Sequence, residues 1–301
     1  RQGLSCSALL SVATAIAALT LSAAPCRAAT SAESKTAQRP NIVFIITDQQ
    51  PISTIGAYGD QRVKTPNIDR LAAGGMRFNE FHIAAFACSP SRACYWTGEW
   101  SHHHGVVIND VVLSDKLPTM GNILHGAGYQ TAFVGKWHLG LSAPNTPCDH
   151  GFDHFHGFLG DMMDDYWTHR RNGFNFMRRD RETIDPEGHA TDLFTRWAVE
   201  HLEARAKVDQ PFFLYLAYNA PHDPIQPPPE WLAKVKAREP GMTDKRAKLV
   251  ALIEHMDDGI RQVLETLDRT GLADNTLVVY TSDNGGVLGN GANNGPWRSE
   301  K

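Results

Sequence analysis

Ile42-Val43-Phe44-Ile45-Ile46 is an unbroken apolar run that ends in Thr47-Asp48-Gln49-Gln50. A run with no polar face suits a central strand of a parallel sheet covered on both sides, not a half-exposed antiparallel strand. The polar residues that follow then fall at the strand's carboxyl end, where open α/β sheets gather their ligands.

The rest of the chain alternates strands with helices. Thr65-Pro66-Asn67-Ile68-Asp69-Arg70-Leu71-Ala72-Ala73-Gly74 places Thr at the N-cap, Pro at the first turn and Gly at the end, and so predicts a short helix; Pro118 to Gly126 repeats the pattern. Thr131-Ala132-Phe133-Val134, Phe212 to Ala217 and Leu277-Val278-Val279-Tyr280 read as further strands. Leu249, Leu252, Ile253, Met256, Ile260, Val263, Leu264 and Leu267 share one helical face ahead of the last of these. The expected fold class is α/β, with a mainly parallel central sheet flanked by helices. Asp48 and Asp283 both fall just beyond strands, at the ligand-binding edge of such a sheet.

The first residues read differently. The stretch from Ala8 to Ala24 is almost wholly apolar or small and is followed by Cys26-Arg27-Ala28-Ala29. Segment 1–28 is expected to be a secretory signal peptide, with Cys26 and Ala28 suiting signal peptidase. An uncleaved anchor helix is the competing reading, but the run is short and rich in Ala and Ser for a membrane span, so no stable membrane insertion is expected. The expected location is secreted, or periplasmic in a bacterium. Residues 29–39 form a polar lead-in, and the catalytic domain is expected over 40–301. Because the chain stops inside a Gly/Asn-rich loop, a smaller C-terminal domain is expected to be missing from this stretch of sequence.

Charge excludes one class of function. Lys and Arg number 29 against 33 Asp and Glu, with no basic run, so there is no electrostatic footprint for nucleic acid. Removal of the signal would leave Cys88, Cys94 and Cys148, too few for a disulfide scaffold in a chain this long.

The chemistry concentrates in short motifs. Cys88-Ser89-Pro90-Ser91-Arg92-Ala93 is followed by Thr97-Gly98. Taken alone, Cys-x-Pro-x-Arg reads equally well as a small buried Cys before a Pro-started helix. It does not stand alone. Asp48-Gln49 and Asp283-Asn284 offer hard oxygen ligands, which suit Ca²⁺ or Mg²⁺ rather than zinc. Gly135-Lys136-Trp137-His138-Leu139-Gly140 adds a cation and an imidazole two residues apart, and Asn219-Ala220-Pro221-His222-Asp223-Pro224 adds another His beyond a strand.

In order and spacing these motifs resemble the sulfatase family of the alkaline-phosphatase-like superfamily, from about Asn41 to the end of the chain. The resemblance implies that Cys88 is oxidised by a formylglycine-generating maturation enzyme, and that the hydrated aldehyde is the nucleophile. It implies one divalent cation, usually Ca²⁺ and otherwise Mg²⁺, bound by Asp48, Gln49, Asp283, Asn284 and the modified Cys88. Many relatives carry Asp where this chain has Gln49, which gives the site one negative charge fewer. Arg92 and Lys136 match positions that orient and polarise the formylglycine, and His138 matches the base near its second hydroxyl. His222 matches a residue that binds sulfate and assists the leaving group, and Lys301, in a Gly-Pro-Trp-Arg-Ser-Glu-Lys context, matches a lysine with the same task. The implied substrate is an aryl or carbohydrate sulfate, as a small molecule or a glycan.

Elementary chemistry agrees with these residue types. Sulfate esters spread charge over several oxygens, so their cleavage depends on positioning and on cationic stabilisation, as phosphoryl transfer does. A gem-diol ester can expel sulfate when its second hydroxyl is deprotonated, and His138 is the expected base. Several cations and donors around one point would be costly in an ordinary core, and a bound dianion makes them intelligible.

Weaker motifs read more simply. His102-His103-His104 cannot all face one ion from a regular element and reads as loop packing. Gly151 to Phe158 reads as an aromatic packing corner, with His154 or His156 as alternative pocket residues, and Asp164-Asp165-Tyr166-Trp167 with Arg170-Arg171 reads as a polar insertion of the kind that carries specificity. Two competing functions stand beside the sulfatase: a phosphonate monoester or phosphodiester hydrolase of the same superfamily, whose members commonly place His where this chain has Asn284, and a catalytically silent module that binds sulfated glycans.

Overall fold

The computed structural model of the protein describes residues 39–295. The expected signal segment 1–28, all but the last residue of the polar lead-in, and Lys301 lie outside the described residues.

In chain order the elements are β1 (Asn41–Thr47), α1 (Pro66–Gly74), α2 (Cys88–Thr97), α3 (Ser101–His104), α4 (Met120–Gly126), β2 (Gln130–Lys136) and β3 (His154–Phe158). Four short strands follow, β4 (Arg170–Arg171), β5 (Phe174–Asn175), β6 (Met177–Arg179) and β7 (Glu182–Thr183). The last part holds α5 (Ala190–Arg205), β8 (Phe212–Ala217), α6 (Pro229–Arg238), α7 (Asp244–Arg269) and β9 (Thr276–Ser282). The main sheet runs β7-β6-β3-β2-β8-β1-β9, parallel from β3 through β9 and antiparallel only at β3-β6 and β6-β7. The expected α/β class with a mainly parallel sheet is therefore what forms. Because β1, β2, β8 and β9 all point the same way, their carboxyl ends line one edge.

The apolar runs explain the burial. Val43, Ile45, Ala132, Val134, Leu214 and Leu216 turn to one face, against Phe194 and Trp197 of α5 and Leu252, Met256 and Ile260 of α7. Their alternating neighbours Ile46, Phe133, Phe213 and Tyr215 turn to the other face, against Trp96 of α2 and Trp137. Trp96 lies 4.1 Å from the Tyr215 ring, centroid to centroid, which seats α2 against β8. Stacks of this kind add to the area buried and fix how the helix is rotated. Among the described residues no helix is long and apolar enough to cross a membrane.

Local expectations were met with two adjustments. The helix predicted from Pro118 begins at Met120, because Thr119 is the residue that caps it, its hydroxyl accepting from the Asn122 N–H in a reciprocal capping box. Thr65 does precede α1, but its side chain does not cap that helix. Its hydroxyl accepts instead from the Gly56 N–H, and the Asp257 carboxylate of α7 takes the Asn67 and Ile68 N–H groups. A cap from a residue 189 positions away in sequence leaves no local sign.

Gly135 holds the end of β2 in place. Its φ of 109° lies in the region that favours glycine, and a methyl group there would strike the backbone of Ala217 in the neighbouring strand. The close approach of the two strands sets where the next residue, Lys136, points.

Candidate active site

The carboxyl ends of β1, β2, β8 and β9 and the start of α2 meet at one buried point. Asp48 follows β1 and Asp283 follows β9, and the backbone fixes both: Asp48 N–H donates to Ala220 O at 3.1 Å and Asp283 N–H to Thr47 O at 3.0 Å. Cys88 is the first residue of α2, with Ala87 as N-cap, and is 1% exposed. Its Sγ stands 3.4 Å from Asp48 Oδ1, 3.5 Å from Asn284 Nδ2 and 3.9 Å from Lys136 Nζ. Of the two readings of Cys-x-Pro-x-Arg, a packing cysteine and a reactive one, the surroundings fit the second, since packing alone would not bring a carboxylate, an amide and an ammonium around a thiol.

Arg92 lies one turn farther along α2 and is fully buried. Its Nη2 is 2.9 Å from Asp283 Oδ2 and 3.5 Å from Asp48 Oδ2, while Nη1 donates to Lys136 O at 3.2 Å. Lys136 Nζ forms an ion pair with the same Asp48 Oδ2. Two cations and two carboxylates thus balance inside the protein, which is the condition for burying any of them. Burial alone would lower the Arg92 pKa, but Asp283 and Asp48 raise it above the ordinary arginine range, so it stays charged. Burial pushes the Asp283 carboxyl up to about 6, and the charge of Asp48 adds to that, against the pull of Arg92 and Lys136.

These residues fit a hard divalent cation. Asp48 and Asp283 converge, the buried Asn284 Oδ1 receives no hydrogen bond among the described residues, and ligand atoms of Asp48, Cys88 and His222 lie within 4.8 Å of one another. Oxygen donors with a buried, unmet amide oxygen are the set that Ca²⁺ or Mg²⁺ takes. Gln49 lines the adjoining cleft with its backbone at φ 63°, and its N–H donates to Asp283 Oδ1 at 3.1 Å.

The cleft over Cys88 has a volume of about 390 Å³ and is lined by Gln49, Phe86, Cys88, His138, Asp161 and His222 among others. His222 is held by Asp223, its Nδ1 2.7 Å from the Asp223 carbonyl, and from behind by Tyr166, whose hydroxyl donates to His222 O at 2.9 Å. His138 is buried beside the cleft with Nε2 3.2 Å from Asp110 Oδ1. Burial lowers its pKa to about 4, although Asp110 opposes the shift, and Lys136 and Arg92 reinforce it.

Every expected site residue among those described, namely Asp48, Gln49, Cys88, Arg92, Lys136, His138, His222, Asp283 and Asn284, is brought to this cluster or its cleft. The weaker motifs go elsewhere. His156 stacks on the Trp197 ring with centroids 3.4 Å apart, and His154 is exposed beside Asp180, so neither lines the cleft. His103 pairs with Glu99, while His104 is buried with Nδ1 accepting from Val106 N–H and Nε2 3.3 Å from Cys94 Sγ. The three adjacent histidines share no ion-binding point. In the polar insertion Arg171 clasps Asp161 at 2.8 Å and Asp164 at 2.9 Å, which stations Asp161 at the cleft wall. Sequence reading missed Asp110 and Asp161; both lie in loops with no periodicity, and an isolated Asp in a loop gives no signal.

The model of the family described as "Sulfatase" matches residues 40–301. Human N-acetylgalactosamine-6-sulfatase is 31% identical over 291 residues, covering 86% of this chain and 53% of that protein. The crystal structure of Ps i-CgsB superimposes with a TM-score of 0.82 at 31% identity, over 87% of this chain and 62% of that one. BT4656 in complex with its substrate D-glucosamine-2-N,6-O-disulfate gives a TM-score of 0.70 at 26% identity, over 83% of this chain and 66% of that one. The chain spans about half the length of the curated relatives it matches.

Proposed function

The chain belongs to the sulfatase family, and from that premise we propose that it is the catalytic part of a sulfuric ester hydrolase acting on a sulfated carbohydrate. The observation that carries the reading is the buried Cys88 thiol set between Asp48, Asn284 and Lys136 at the start of a helix. In this reading a maturation enzyme converts Cys88 to formylglycine, whose hydrated form supplies the attacking hydroxyl. Asp48, Gln49, Asp283 and Asn284, with the modified Cys88, would hold a Ca²⁺ or Mg²⁺ ion, which supplies polarisation of a sulfate oxygen and of the nucleophile when bound.

The chain's own groups divide the remaining work. Arg92 and Lys136 pair with the carboxylates they touch, so they hold the residue at position 88 in one orientation and offset the negative charge of an incoming sulfate. His222, steadied by Asp223 and Tyr166, lines the same cleft and is suited to hold the sulfate and to protonate the departing oxygen. Lys301 is given the same task by its motif. His138 is neutral at physiological pH and can accept a proton. Asp161 and Asp223 line the cleft with Cys88 and offer acceptors for sugar hydroxyls, and of the similar proteins one is named for a sulfated amino sugar and another is solved in complex with one as its substrate. Export belongs to the same reading, through segment 1–28 as a secretory signal.

Mass spectrometry of the tryptic peptide Phe78 to Arg92, from protein made in its native host, tests the first step. Formylglycine at position 88 together with sulfate release that Cys88→Ala abolishes supports the proposal. An unmodified thiol in a protein that releases no sulfate would overturn it, and faster turnover of an aryl phosphonate than of the matched aryl sulfate would move the assignment to the sister hydrolase.

A further inference from the structure

Asp110 has no place in the motifs that brought attention to the site, yet it makes the only hydrogen bond recorded among the described residues to the His138 ring, Oδ1 to Nε2 at 3.2 Å. A carboxylate accepts and does not donate, so this contact places the imidazole proton on Nε2. Nδ1 is then the lone-pair nitrogen, and it is buried without a donor among the described residues. A buried acceptor left unmet is uncommon in native proteins and calls for an explanation.

The surrounding backbone is shaped to hold the contact. Asp110 has φ 64° and His138 φ 58°, both in the left-handed region that non-glycine residues seldom enter. Ser89, the residue after Cys88, ties them together: its Oγ accepts from Asp110 N–H at 3.3 Å and donates to His138 O at 3.1 Å, while its own N–H donates to Asn109 Oδ1 at 3.1 Å. The Asn109-Asp110 turn and the His138 backbone are therefore fastened to the same helix end that carries Cys88.

We infer that Asp110 is a positioning residue for His138: it fixes the imidazole as the Nε2–H tautomer and so makes Nδ1 the atom that takes up a proton in the cleft. The inference rests on the hydrolase reading above for the identity of the reaction, but not for the tautomer. In the step, the proton of the second hydroxyl at position 88 passes to the Nδ1 lone pair, its O–H electron pair forms the aldehyde C=O as the C–O bond to the sulfate breaks, the proton on Nε2 stays in its bond to Asp110, and the ring becomes an imidazolium next to a carboxylate. Arg92 from α2 and Lys136 from β2 oppose that charge, while Asp161 after β3 and Asp110 favour it, and of the two carboxylates only Asp110 touches the ring. Asp110 and His138 stand as an acid and the imidazole it orients, beside the cleft that His138 shares with Cys88, with the acid orienting rather than titrating.

Asp110→Gly is the informative variant, because glycine accepts a positive φ and removes the carboxylate without straining the turn. In protein whose formylglycine content at position 88 has been measured, with 4-methylumbelliferyl sulfate as probe, kcat should fall about 100-fold with KM within roughly twofold. Asp110→Asn keeps an acceptor and should lose only about tenfold. Two-bond ¹H–¹⁵N spectra of ¹⁵N-histidine-labelled protein, with the His138 ring assigned by its loss in His138→Gln, should show Nε2–H in the wild type and a shift toward Nδ1–H in Asp110→Gly. A kcat for Asp110→Gly within twofold of wild type, or a His138 tautomer unchanged by that substitution, overturns the inference. A matured wild type that hydrolyses no sulfate ester would instead overturn the hydrolase reading, and the tautomer spectra would still decide the role of Asp110.

Discussion

Arg92 Nη2 meets Asp283 Oδ2 at 2.9 Å with both side chains at most 1% exposed, and the same nitrogen is 3.5 Å from Asp48 Oδ2. The pair joins the helix that carries Cys88 to the strand that ends the described sheet. A guanidinium shared between two buried carboxylates holds the site together before any substrate arrives.

Removing Arg92 takes away the cation that Asp48 and Asp283 share and leaves Lys136 paired with Asp48. Breaking a buried pair from one side costs about 3–5 kcal/mol. Arg92→Ala should therefore unfold at correspondingly lower urea concentration than wild type, with an unchanged m-value, and a loss under about 1 kcal/mol would show that the pair is not structurally important.

A hard cation should bind the same carboxylates from the Cys88 side. At a free Ca²⁺ concentration of 100 times its Kd, binding adds about 2.7 kcal/mol to folding stability. Differential scanning fluorimetry should show a calcium-dependent rise in Tm that EDTA reverses and that Asn284→Ala weakens, since Asn284 Oδ1 is the buried acceptor with no donor among the described residues. Equal shifts in wild type and Asn284→Ala would place the ion elsewhere.

His189 is buried and His201 half-buried, and loss of solvent lowers the pKa of each imidazole to about 4. Both are neutral in the fold and have an unfolded pKa near 6.5, so their contribution is complete above about pH 6.5 and is lost as pH falls toward 4. Each is worth up to roughly 3 kcal/mol across that window. His189→Asn keeps a side-chain acceptor for the Thr191 N–H at the start of α5 but cannot be protonated there. Urea titrations at pH 7 and pH 5 should show a smaller acid-induced loss for the variant, whatever its stability at pH 7.

Gly135→Ala forces a methyl group into the Ala217 backbone from a positive φ. Alanine at such a position destabilises by more than about 1 kcal/mol from conformation alone, and the clash adds to that. We expect a lower Tm together with reduced substrate turnover, because Lys136 follows directly. A variant with wild-type stability would show that β2 and β8 can part without cost.

Much of the architecture was legible in the sequence because it is encoded over short distances. Ile42 to Ile46 and Phe212 to Ala217 carry no polar face, and both became interior strands of the sheet, the second buried on two sides and the first with Ile42 and Phe44 half-buried on one face. Leu277 to Tyr280 looks the same in sequence, yet β9 forms the edge of the described sheet with Leu277 54% exposed. Hydrophobic pattern reports what a strand can bury, and neighbours decide what it does bury. Helix α5 escaped detection because its buried residues include Thr191, Thr195 and Ala198 beside Trp197, which blurs the apolar stripe.

The site divides along the same line. Short motifs named the residues around Cys88, because each motif sits at the end of one strand or the start of one helix, where local spacing fixes side-chain direction. Only the tertiary structure decided that β8 enters between β2 and β1, that Asp257 of α7 caps α1, that His156 stacks on Trp197, and that Asp110 reaches His138. Those contacts join residues that no local pattern relates, and they exist because many buried side chains settle together into one packing; a sequence specifies that packing as a whole, not residue by residue.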